Sequence, residues 1–214
     1  MRFFRMRTLF PVLSCATLLL LTALAYSAEV SAVGKVTRLI PRADLTRERK
    51  TLRLHPADPV AENDRVRTSA GGRTRLELDG GSIINVGSAS ELVVRSPSGA
   101  TQTSGLELRY GSVRAWVAQR RGAGLFEVRT NTAVAGVLGT TLFVEASRDL
   151  TRVANLSTDP AAQVRVGSTD PSVTEEVILL PGEGTAVPAS RPPQPPRRWT
   201  QEEMQAGYED TDIR

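Results

Sequence analysis

The sequence predicts an all-β fold in which many short antiparallel strands form either a sandwich or a twisted, solenoid-like roll. Polar and apolar residues alternate with a period of two between residues 33 and 187, for example in Arg73–Asp79 and Leu106–Tyr110. Turn sequences rich in glycine and proline separate these segments. Between residues 29 and 187, no segment has the pattern of the crossover helix that a parallel α/β sheet requires. We therefore expect one all-β domain over residues 29–187.

The predicted strands follow one another closely along this domain. In chain order they occupy residues 33–40, 64–68, 73–79, 82–86, 90–94, 106–110, 113–117, 125–129, 133–137, 141–146, 152–156, 163–166 and 176–180. The turns between them contain glycine, which tolerates a positive φ, or proline, which presets a bend. They are Asp79-Gly80-Gly81-Ser82, Ser98-Gly99, Tyr110-Gly111, Gly122-Ala123-Gly124 and Pro181-Gly182.

The first 28 residues have the three-part layout of a secretory signal peptide. Arginines come first, an apolar run extends from Leu9 to Ala25, and small residues close it at Ala23, Ala25, Ser27 and Ala28. Cleavage after Ala25 and cleavage after Ser27 both fit. An uncleaved membrane anchor is the alternative, although the run is at the short end of the roughly 17–25 residues that a spanning helix needs. We expect an exported protein, periplasmic or extracellular.

Export changes the interpretation of the charge. The whole chain has 27 basic and 23 acidic residues, but residues 1–28 contain three arginines and no acidic residue, which leaves 24 against 23. A nearly neutral mature chain gives no electrostatic reason to expect nucleic acid as a partner. Cys15, the one cysteine, leaves with the signal peptide, so no disulfide is expected. No second apolar run reaches spanning length, and we expect a mature form that does not span the membrane.

Residues 188–199 are predicted to form a stiff linker, because five prolines occur among the nine residues 188–196. After the linker, residues 200–214 form either a short helical tail or a disordered one. Thr200 and Glu203 have the spacing of a capping box, which favours a helix through about Tyr208, with a frayed acidic end beyond it. A tail held away by the linker either supplies a second partner contact, through Trp199 and Tyr208, or is a disordered end.

The sequence offers little catalytic chemistry. The one histidine, His55, precedes Pro56 in a polar stretch, and no Gly-x-Ser-x-Gly sequence supplies a nucleophile. Zinc needs three or four cysteine or histidine ligands, which the chain lacks. Asp79, Asp159 and Asp170 flank turns and are expected to cap the backbone, the alternative being convergence on calcium. We predict a non-enzymatic protein without catalytic residue, cofactor or metal; a hydrolase whose carboxylates meet only in the fold is the enzymatic alternative.

Four arginines close together in sequence have two interpretations. One is a basic stripe on a single sheet face, which would contact an acidic partner or an anionic glycan. The other, which we favour, is an ordinary solvated face balanced by neighbouring acidic residues. The arginines are Arg65, Arg67, Arg73 and Arg75, and the acidic residues are Glu62, Asp64, Glu77 and Asp79. The candidate partner contacts are Arg67, Arg73, Arg75 and Trp199.

Five phrases, in the same order along the chain, resemble a FecR domain, the extracytoplasmic module named after the iron-citrate regulator. The most specific is Phe126-Glu-Val-Arg-Thr130 followed by Ala133-Val-Ala-Gly-Val-Leu-Gly139-Thr140-Thr-Leu-Phe143-Val144. The others are Asp64-Arg-Val-Arg-Thr68, Leu76-Glu-Leu-Asp79-Gly-Gly-Ser82, Leu106-Glu-Leu-Arg-Tyr-Gly111-Ser-Val113 and Val177-Ile-Leu-Leu-Pro-Gly182-Glu183. The resemblance covers about residues 30–187. We interpret its motif residues as folding residues: Asp79, Gly80, Ser82, Gly111, Gly139, Thr140, Phe143, Gly182 and Glu183.

The resemblance implies an all-β recognition module that pairs an exposed strand edge or hairpin with an unidentified envelope protein in cell-envelope signalling. A structural envelope protein that binds glycan or peptidoglycan is the alternative. Two differences from the family limit what the resemblance implies for this chain. Leu138 stands where the family commonly has an arginine before the Gly-Thr pair. In regulators like the namesake, a cytoplasmic anti-sigma segment and a membrane span precede the domain. Here a signal peptide precedes it, so direct control of a sigma factor is not expected.

Overall fold

A computed structural model describes residues 31–95, 104–119 and 124–213. The predicted signal peptide, with Cys15, and the predicted turns at Ser98-Gly99 and Gly122-Ala123 lie outside these ranges. The described residues contain seventeen strands and one helix. They are β1 (Ala32–Ile40), β2 (Ala43–Arg47), β3 (Lys50–Arg53), β4 (Pro59–Ala61), β5 (Arg65–Thr68), β6 (Arg73–Leu78), β7 (Ile83–Val86), β8 (Glu91–Arg95), β9 (Ser104–Trp116), β10 (Phe126–Arg129), β11 (Ala133–Val137), β12 (Thr141–Ala146), β13 (Leu150–Asn155), β14 (Val164–Ser168), β15 (Glu176–Leu179), β16 (Glu183–Pro188), β17 (Arg197–Arg198) and α1 (Gln201–Thr211).

The strands form two ladders that share one long strand, β9. Ladder I runs β4-β1-β6-β7-β9-β12-β13-β16-β17 and uses residues 111–116 of β9. Ladder II runs β3-β2-β5-β8-β9-β10-β11-β14-β15 and uses residues 104–110. Every pairing is antiparallel except that of β9 with β10, which is parallel. The two ladders are therefore parts of one large, open sheet, and the predicted all-β class is confirmed.

Side chains from both ladders fill one hydrophobic core. The chain enters the ladders in turn, usually as hairpins: β6–β7 and β12–β13 belong to ladder I, and β10–β11 and β14–β15 belong to ladder II. Alternate residues of each strand point inward, as the period of two predicts. Fully buried members of the shared core include Leu76, Ile84 and Leu142 from ladder I and Leu92, Leu108 and Val166 from ladder II. The two ladders thus fold over each other as the layers of a roll.

Gly111 lies where β9 passes from ladder II to ladder I. Its φ is +87°, in the left-handed region that favours glycine. A Cβ at this position would overlap the hydroxyl of Ser90, and that hydroxyl accepts a hydrogen bond from the Ser112 N–H at 2.9 Å. The positive φ and the close approach to Ser90 together explain why residue 111 is a glycine. Tyr110-Gly111 is predicted as a turn, but the chain does not reverse its direction here. The predicted strands at 106–110 and 113–117 are one strand with a bend.

Residues 188–199 do not hold the tail away from the domain, contrary to the linker prediction. The Gln194 N–H donates to the Ala186 carbonyl at 2.9 Å, and the Thr185 hydroxyl donates to the Gln194 carbonyl at 2.6 Å. β17 then pairs with β16. Helix α1 follows, with the predicted capping box of Thr200 present, and it runs past the predicted end to Thr211. The chain beyond α1 is not frayed, because Ile213 is only 1% exposed. Within the described ranges, no helix combines the length and apolar character needed to cross a membrane.

We predict that Gly111→Ala lowers the free energy of unfolding by about 3 kcal/mol, because alanine is strained at this φ and its Cβ displaces Ser90. Urea unfolding followed by circular dichroism measures the effect. Gly136→Ala is the matched control within β11, since a Cβ there would lie 3.8 Å from its nearest neighbour, the Leu125 side chain. Equal losses for the two variants would contradict a special role for position 111.

Candidate functional site

The two ladders end in four outer strands, and three of these are protected against pairing with another chain. β3 carries charged Lys50 and Arg53. β4 is three residues long and begins with Pro59, and β17 has only two residues and follows the prolines. Charges, proline and short length are the usual protections of an edge strand. The fourth outer strand, β15, contains no proline and carries a single charge, at its first residue Glu176.

β15 pairs with β14 on one side, and no described strand pairs with its other side. Leu179 points inward and is fully buried, whereas Ile178 and Leu180 point outward and are 49% and 48% exposed. On the same outer face, Arg165 of β14 lies 3.8 Å from the Glu176 carboxylate, measured between Nε and Oε2. This edge thus presents a free backbone next to two exposed aliphatic side chains.

The outer face of ladder I is covered by the tail, residues 197–213. Trp199 is 8% exposed and lies directly over Gly184, where any Cβ would overlap the indole. Its ring meets that of Phe143 edge-on at 5.9 Å between centroids, and the Arg152 guanidinium lies 4.9 Å from the Trp199 ring. Trp199 is therefore an internal anchor of the tail in this structure, and its predicted role as a partner contact stays a prediction.

α1 crosses the strands of ladder I beyond this anchor. Gly207 packs on the Phe143 ring, where its Cβ would lie 3.4 Å from ring atoms. Tyr208 lies over Arg114, whose guanidinium is 4.7 Å from the ring centroid. At the end of the helix, Asp210 bonds to the hydroxyl of Ser112. The predicted alternation of β12 is confirmed here, because Phe143 faces the tail while the residues on either side of it face the core.

Arg73 and Arg75 of β6 bind the end of the tail. The Arg73 Nε–H donates to the Asp210 carbonyl at 2.6 Å, and Arg75 Nη2 donates to the Ile213 carbonyl at 3.1 Å. Arg65 and Arg67 are on β5, in ladder II; Arg67 is exposed, and the Arg65 Nε lies 3.5 Å from Glu91. The four arginines therefore do not form one stripe, because β5 and β6 belong to different layers. Of these four, Arg67 is exposed and the Arg65 side chain is 43% exposed, whereas Arg73 and Arg75 are engaged by the tail.

Glu203 ties the start of α1 to the sheet. Its carboxylate accepts hydrogen bonds from Arg197 at 2.6 and 2.9 Å, from the Thr200 N–H at 2.9 Å and from Arg152 at 3.2 Å. These partners lower the pKa of Glu203 to about 2, chiefly through the Arg197 hydrogen bonds and then through the Thr200 N–H. The same carboxylate closes the capping box, so helix capping and tail docking depend on one ionised group.

The motif residues of the Asp79–Ser82 turn lie at ladder ends. In this turn Gly81, rather than Gly80, has the positive φ, and the Leu78 N–H donates to the Ser82 carbonyl at 2.9 Å. Asp79 is exposed, and the Ser82 hydroxyl accepts from the Ala118 N–H at 3.1 Å. These contacts give Gly81 and Ser82 structural roles in the turn.

The second pair of motif turns is equally structural. Gly139 has a φ of +69° and packs on Gln119, and the carbonyl of buried Thr140 accepts from the Val117 N–H. Gly182 has a φ of +80°, and the Glu183 carboxylate accepts from the Leu180 N–H at 2.8 Å. Gly182 also accepts from the Trp199 N–H at 2.9 Å. The turn between β15 and β16 therefore contacts the tail.

The histidine and two of the aspartates considered for catalysis or metal binding lie at turns. His55 is exposed at a turn, 3.6 Å from Asp58. Asp159 and Asp170 cap turns, accepting from the Ala161 and Ser172 N–H groups at 2.9 and 3.0 Å. In the described ranges, no three His, Cys, Asp or Glu side chains converge as metal ligands would. A groove of about 400 Å³ beside α1 is lined by Phe143, Glu145, Arg152, Trp199, Glu202, Glu203, Ala206, Gly207 and Asp210.

The residues that form the floor under the tail are not among those that the sequence pattern singles out. Gly184 and Arg114 received no role, and β16, which contains Gly184, was not predicted. The alternation of inward Thr185 and Val187 with outward Gly184 and Ala186 is the signal that could have identified this strand. This alternation is a weak signal because the outward residues are small. They are small because Trp199 packs on them.

Residues 64–158 match the model of the family described as FecR protein, which confirms the FecR resemblance over these residues. The fold is similar to two crystal structures, at 2.50 and 1.65 Å resolution, of a protein described as a "putative anti-sigma factor" from Parabacteroides distasonis ATCC 8503. Each has a TM-score of 0.53 and 21% identity over 66% of this chain. The chain spans 62% and 63% of the lengths of those two structures. No curated protein matches the chain significantly.

We predict that Glu203→Gln lowers the free energy of unfolding by about 1 kcal/mol at pH 7, since the amide keeps the shape but loses the ion pairs. Because the folded pKa of about 2 is below the ordinary 4.5, the carboxylate stabilises the fold above about pH 4.5, and this stabilisation is lost as the pH falls towards 2. The difference between the two proteins should therefore shrink over that range. Urea unfolding at several pH values measures it.

Glu202→Gln is the control, since Glu202 is an exposed carboxylate in the same turn of α1. Its substitution should leave both the stability and its pH dependence nearly unchanged. A wild-type-like pH dependence in Glu203→Gln would show that the stabilising carboxylate lies elsewhere.

Proposed function

We propose that the chain is an exported, non-enzymatic recognition module of cell-envelope signalling, which binds an extended segment of another envelope protein by strand addition at β15. The observation that carries this proposal is the unpaired side of β15 with Ile178 and Leu180 half exposed beside it. Main-chain hydrogen bonds to the edge would supply affinity, and the side chains next to it would supply specificity.

The chemistry of the edge indicates what kind of segment fits. Ile178 and Leu180 point to the same outer face, so a paired strand would place every second residue against them. Those residues should be apolar and preferably β-branched or aromatic. Arg165 and Glu176, which have opposite charges, lie on the same face. They favour a charged residue of either sign towards one end of the bound peptide segment. The site therefore suits an extended peptide with alternating apolar residues.

A signalling role is supported by the FecR domain and by the fold similarity to the structures described as an anti-sigma factor. Export is supported by the signal-peptide layout of residues 1–28. The non-enzymatic character is supported by the exposed, isolated position of His55 and by the turn-capping roles of Asp159 and Asp170. Binding of a sigma factor by this chain forms no part of the proposal.

We expect a photoreactive amino acid at position 178 to crosslink a specific envelope protein when the chain is expressed in its native envelope. The yield should be at least tenfold above that from position 52, because Leu52 is at least as exposed, 59% against 49% for Ile178, but lies on the charged edge strand β3. Gel shift followed by mass spectrometry identifies the adduct. Leu180→Lys should reduce the yield from position 178, since a charge on the edge opposes pairing.

Equal yields from positions 178 and 52 would contradict strand addition at β15. Sedimentation of the wild-type chain with purified sacculi, without a protein adduct at position 178, would favour the glycan-binding alternative instead. A hydrolytic activity that survives Ile178→Lys would contradict the non-enzymatic assignment.

Mass spectrometry of the chain recovered from the native envelope tests export separately. We expect the mature N-terminus at Tyr26 or Ala28, which are the residues after the two cleavage sites. A chain that keeps residues 1–25 would indicate a retained anchor and overturn this part of the proposal.

A further inference from the structure

The face of ladder I under the tail is a continuous row of side chains from six paired strands. In register across the ladder, the row consists of Arg75, Asn85, Arg114, Phe143, Ala154 and Gly184. Its chemistry changes along its length. It is cationic at the β6 end, aromatic in the middle and almost flat at the β16 end, where the indole of Trp199 rests on glycine. Such a row can receive a helix that lies across the strands.

α1 complements this row in charge. The helix contains Glu202, Glu203, Glu209 and Asp210 and no lysine or arginine. Its last turn therefore has no basic residue of its own to balance the negative end of the helix dipole. Arg73 and Arg75 of the sheet supply that balance by donating to the carbonyls of Asp210 and Ile213. Recognition of α1 thus depends on its acidity and on its helical end.

Most residues of α1 are exposed or only partly buried, Met204 and Tyr208 among the latter. Within the helix only Gly207 and Thr211 are buried. Arg114 is half-buried beneath Tyr208, its Nε has no hydrogen-bond partner, and burial lowers the pKa of its guanidinium. The groove of about 400 Å³ stays open beside the helix. A helix that buries so little is a local unit of low stability, which can leave the sheet while the core stays folded.

We propose that this face is a helix-binding site, in which α1 acts as an intramolecular ligand that an acidic amphipathic helix of a partner protein displaces. The proposal does not depend on strand addition at β15, because the two surfaces are on different ladders. Displacement would expose Arg73, Arg75 and Arg114 and release Trp199 from Gly184. A partner that brings a carboxylate to Arg114 would accept the hydrogen bond that its Nε–H does not make with α1.

A synthetic fluorescent peptide of residues 196–213 tests whether the site accepts a helix from outside. In the full-length Gly207→Leu chain, the leucine side chain collides with the Phe143 ring and should displace the chain's own α1, while leucine favours the helix itself. Fluorescence anisotropy should show at least tenfold tighter peptide binding to this variant than to the wild-type chain. The reason is that a tethered α1 competes at millimolar effective concentration.

Two controls define the chemistry of the site. A peptide in which all acidic residues are replaced by their amides should bind the Gly207→Leu chain at least tenfold more weakly. Adding Gly184→Ala to Gly207→Leu should abolish binding, because the Cβ would occupy the place of the peptide's Trp199 indole. Equal binding to the wild-type and Gly207→Leu chains, or equal binding of the amide peptide, would overturn the proposal.

Hydrogen exchange of the wild-type chain provides a second measurement if Gly207→Leu does not fold. Millimolar peptide should speed exchange of the α1 amides of the chain and leave β12 unchanged. Unchanged α1 exchange would overturn the proposal. Sedimentation analysis of the oligomeric state tests whether a second copy of the chain fills the face instead. A wild-type dimer that the peptide dissociates would show this. It would overturn the assignment of the face to a different protein.

Discussion

The fold depends on β9, which belongs to both ladders. Residues 104–110 pair with β8 and β10, and residues 111–116 pair with β7 and β12, so four strands are positioned by one. The bend at Gly111 allows a single strand to serve both layers. The inward residues of β9 contribute to the core shared by the two ladders, among them Leu108 and Val113. A rigid, continuous strand thus sets the position of each layer relative to the other.

The same strand also determines the face that receives the tail. Because Val113 and Ala115 point inward, Ser112 and Arg114 must point outward, towards α1. The pairing partners of Arg114 are Asn85 on one side and Phe143 on the other, so the register of β9 places a charged residue and an aromatic residue next to each other. Core packing and the composition of the outer face are therefore linked through one register, which a slip of one residue would reverse.

The family motifs correspond to folding constraints. Asp64, at the first position of the family match, is fully buried, and its carboxylate accepts hydrogen bonds from Arg47 Nε and from the Ala61 N–H, each at 2.7 Å. Arg47 and Ala61 lie on strands of different ladders, so this ion pair ties the layers together. β15 and the tail lie outside the matched residues 64–158. The match therefore covers most of the face under the tail, from Arg75 to Ala154, but neither β15 nor α1, which fills that face.

Strands with a clear alternation could be predicted from the sequence, and so could α1 from its capping box. β2 and β3 could not, because Ala43–Arg47 contains two apolar residues and Lys50–Arg53 only one, too few to show a clear alternation. Assignment of strands to ladders was also out of reach, since neighbouring β5 and β6 separate into different layers and split the arginine group. The proline segment was misjudged for a similar reason: composition indicates stiffness, but whether a stiff segment leaves the domain or lies along it depends on tertiary hydrogen bonds.

The two proposed surfaces meet at one turn. β15 ends at Leu179, and the turn that follows returns the chain to ladder I as β16. In that turn the Gly182 carbonyl accepts the Trp199 N–H, two residues after exposed Leu180. A strand added to β15 and a tail lifted from Gly184 would therefore alter opposite sides of the same turn, residues 180–182. Since coupling requires a physical element that both sites bias, this turn is where occupancy of the edge and release of the tail can influence each other.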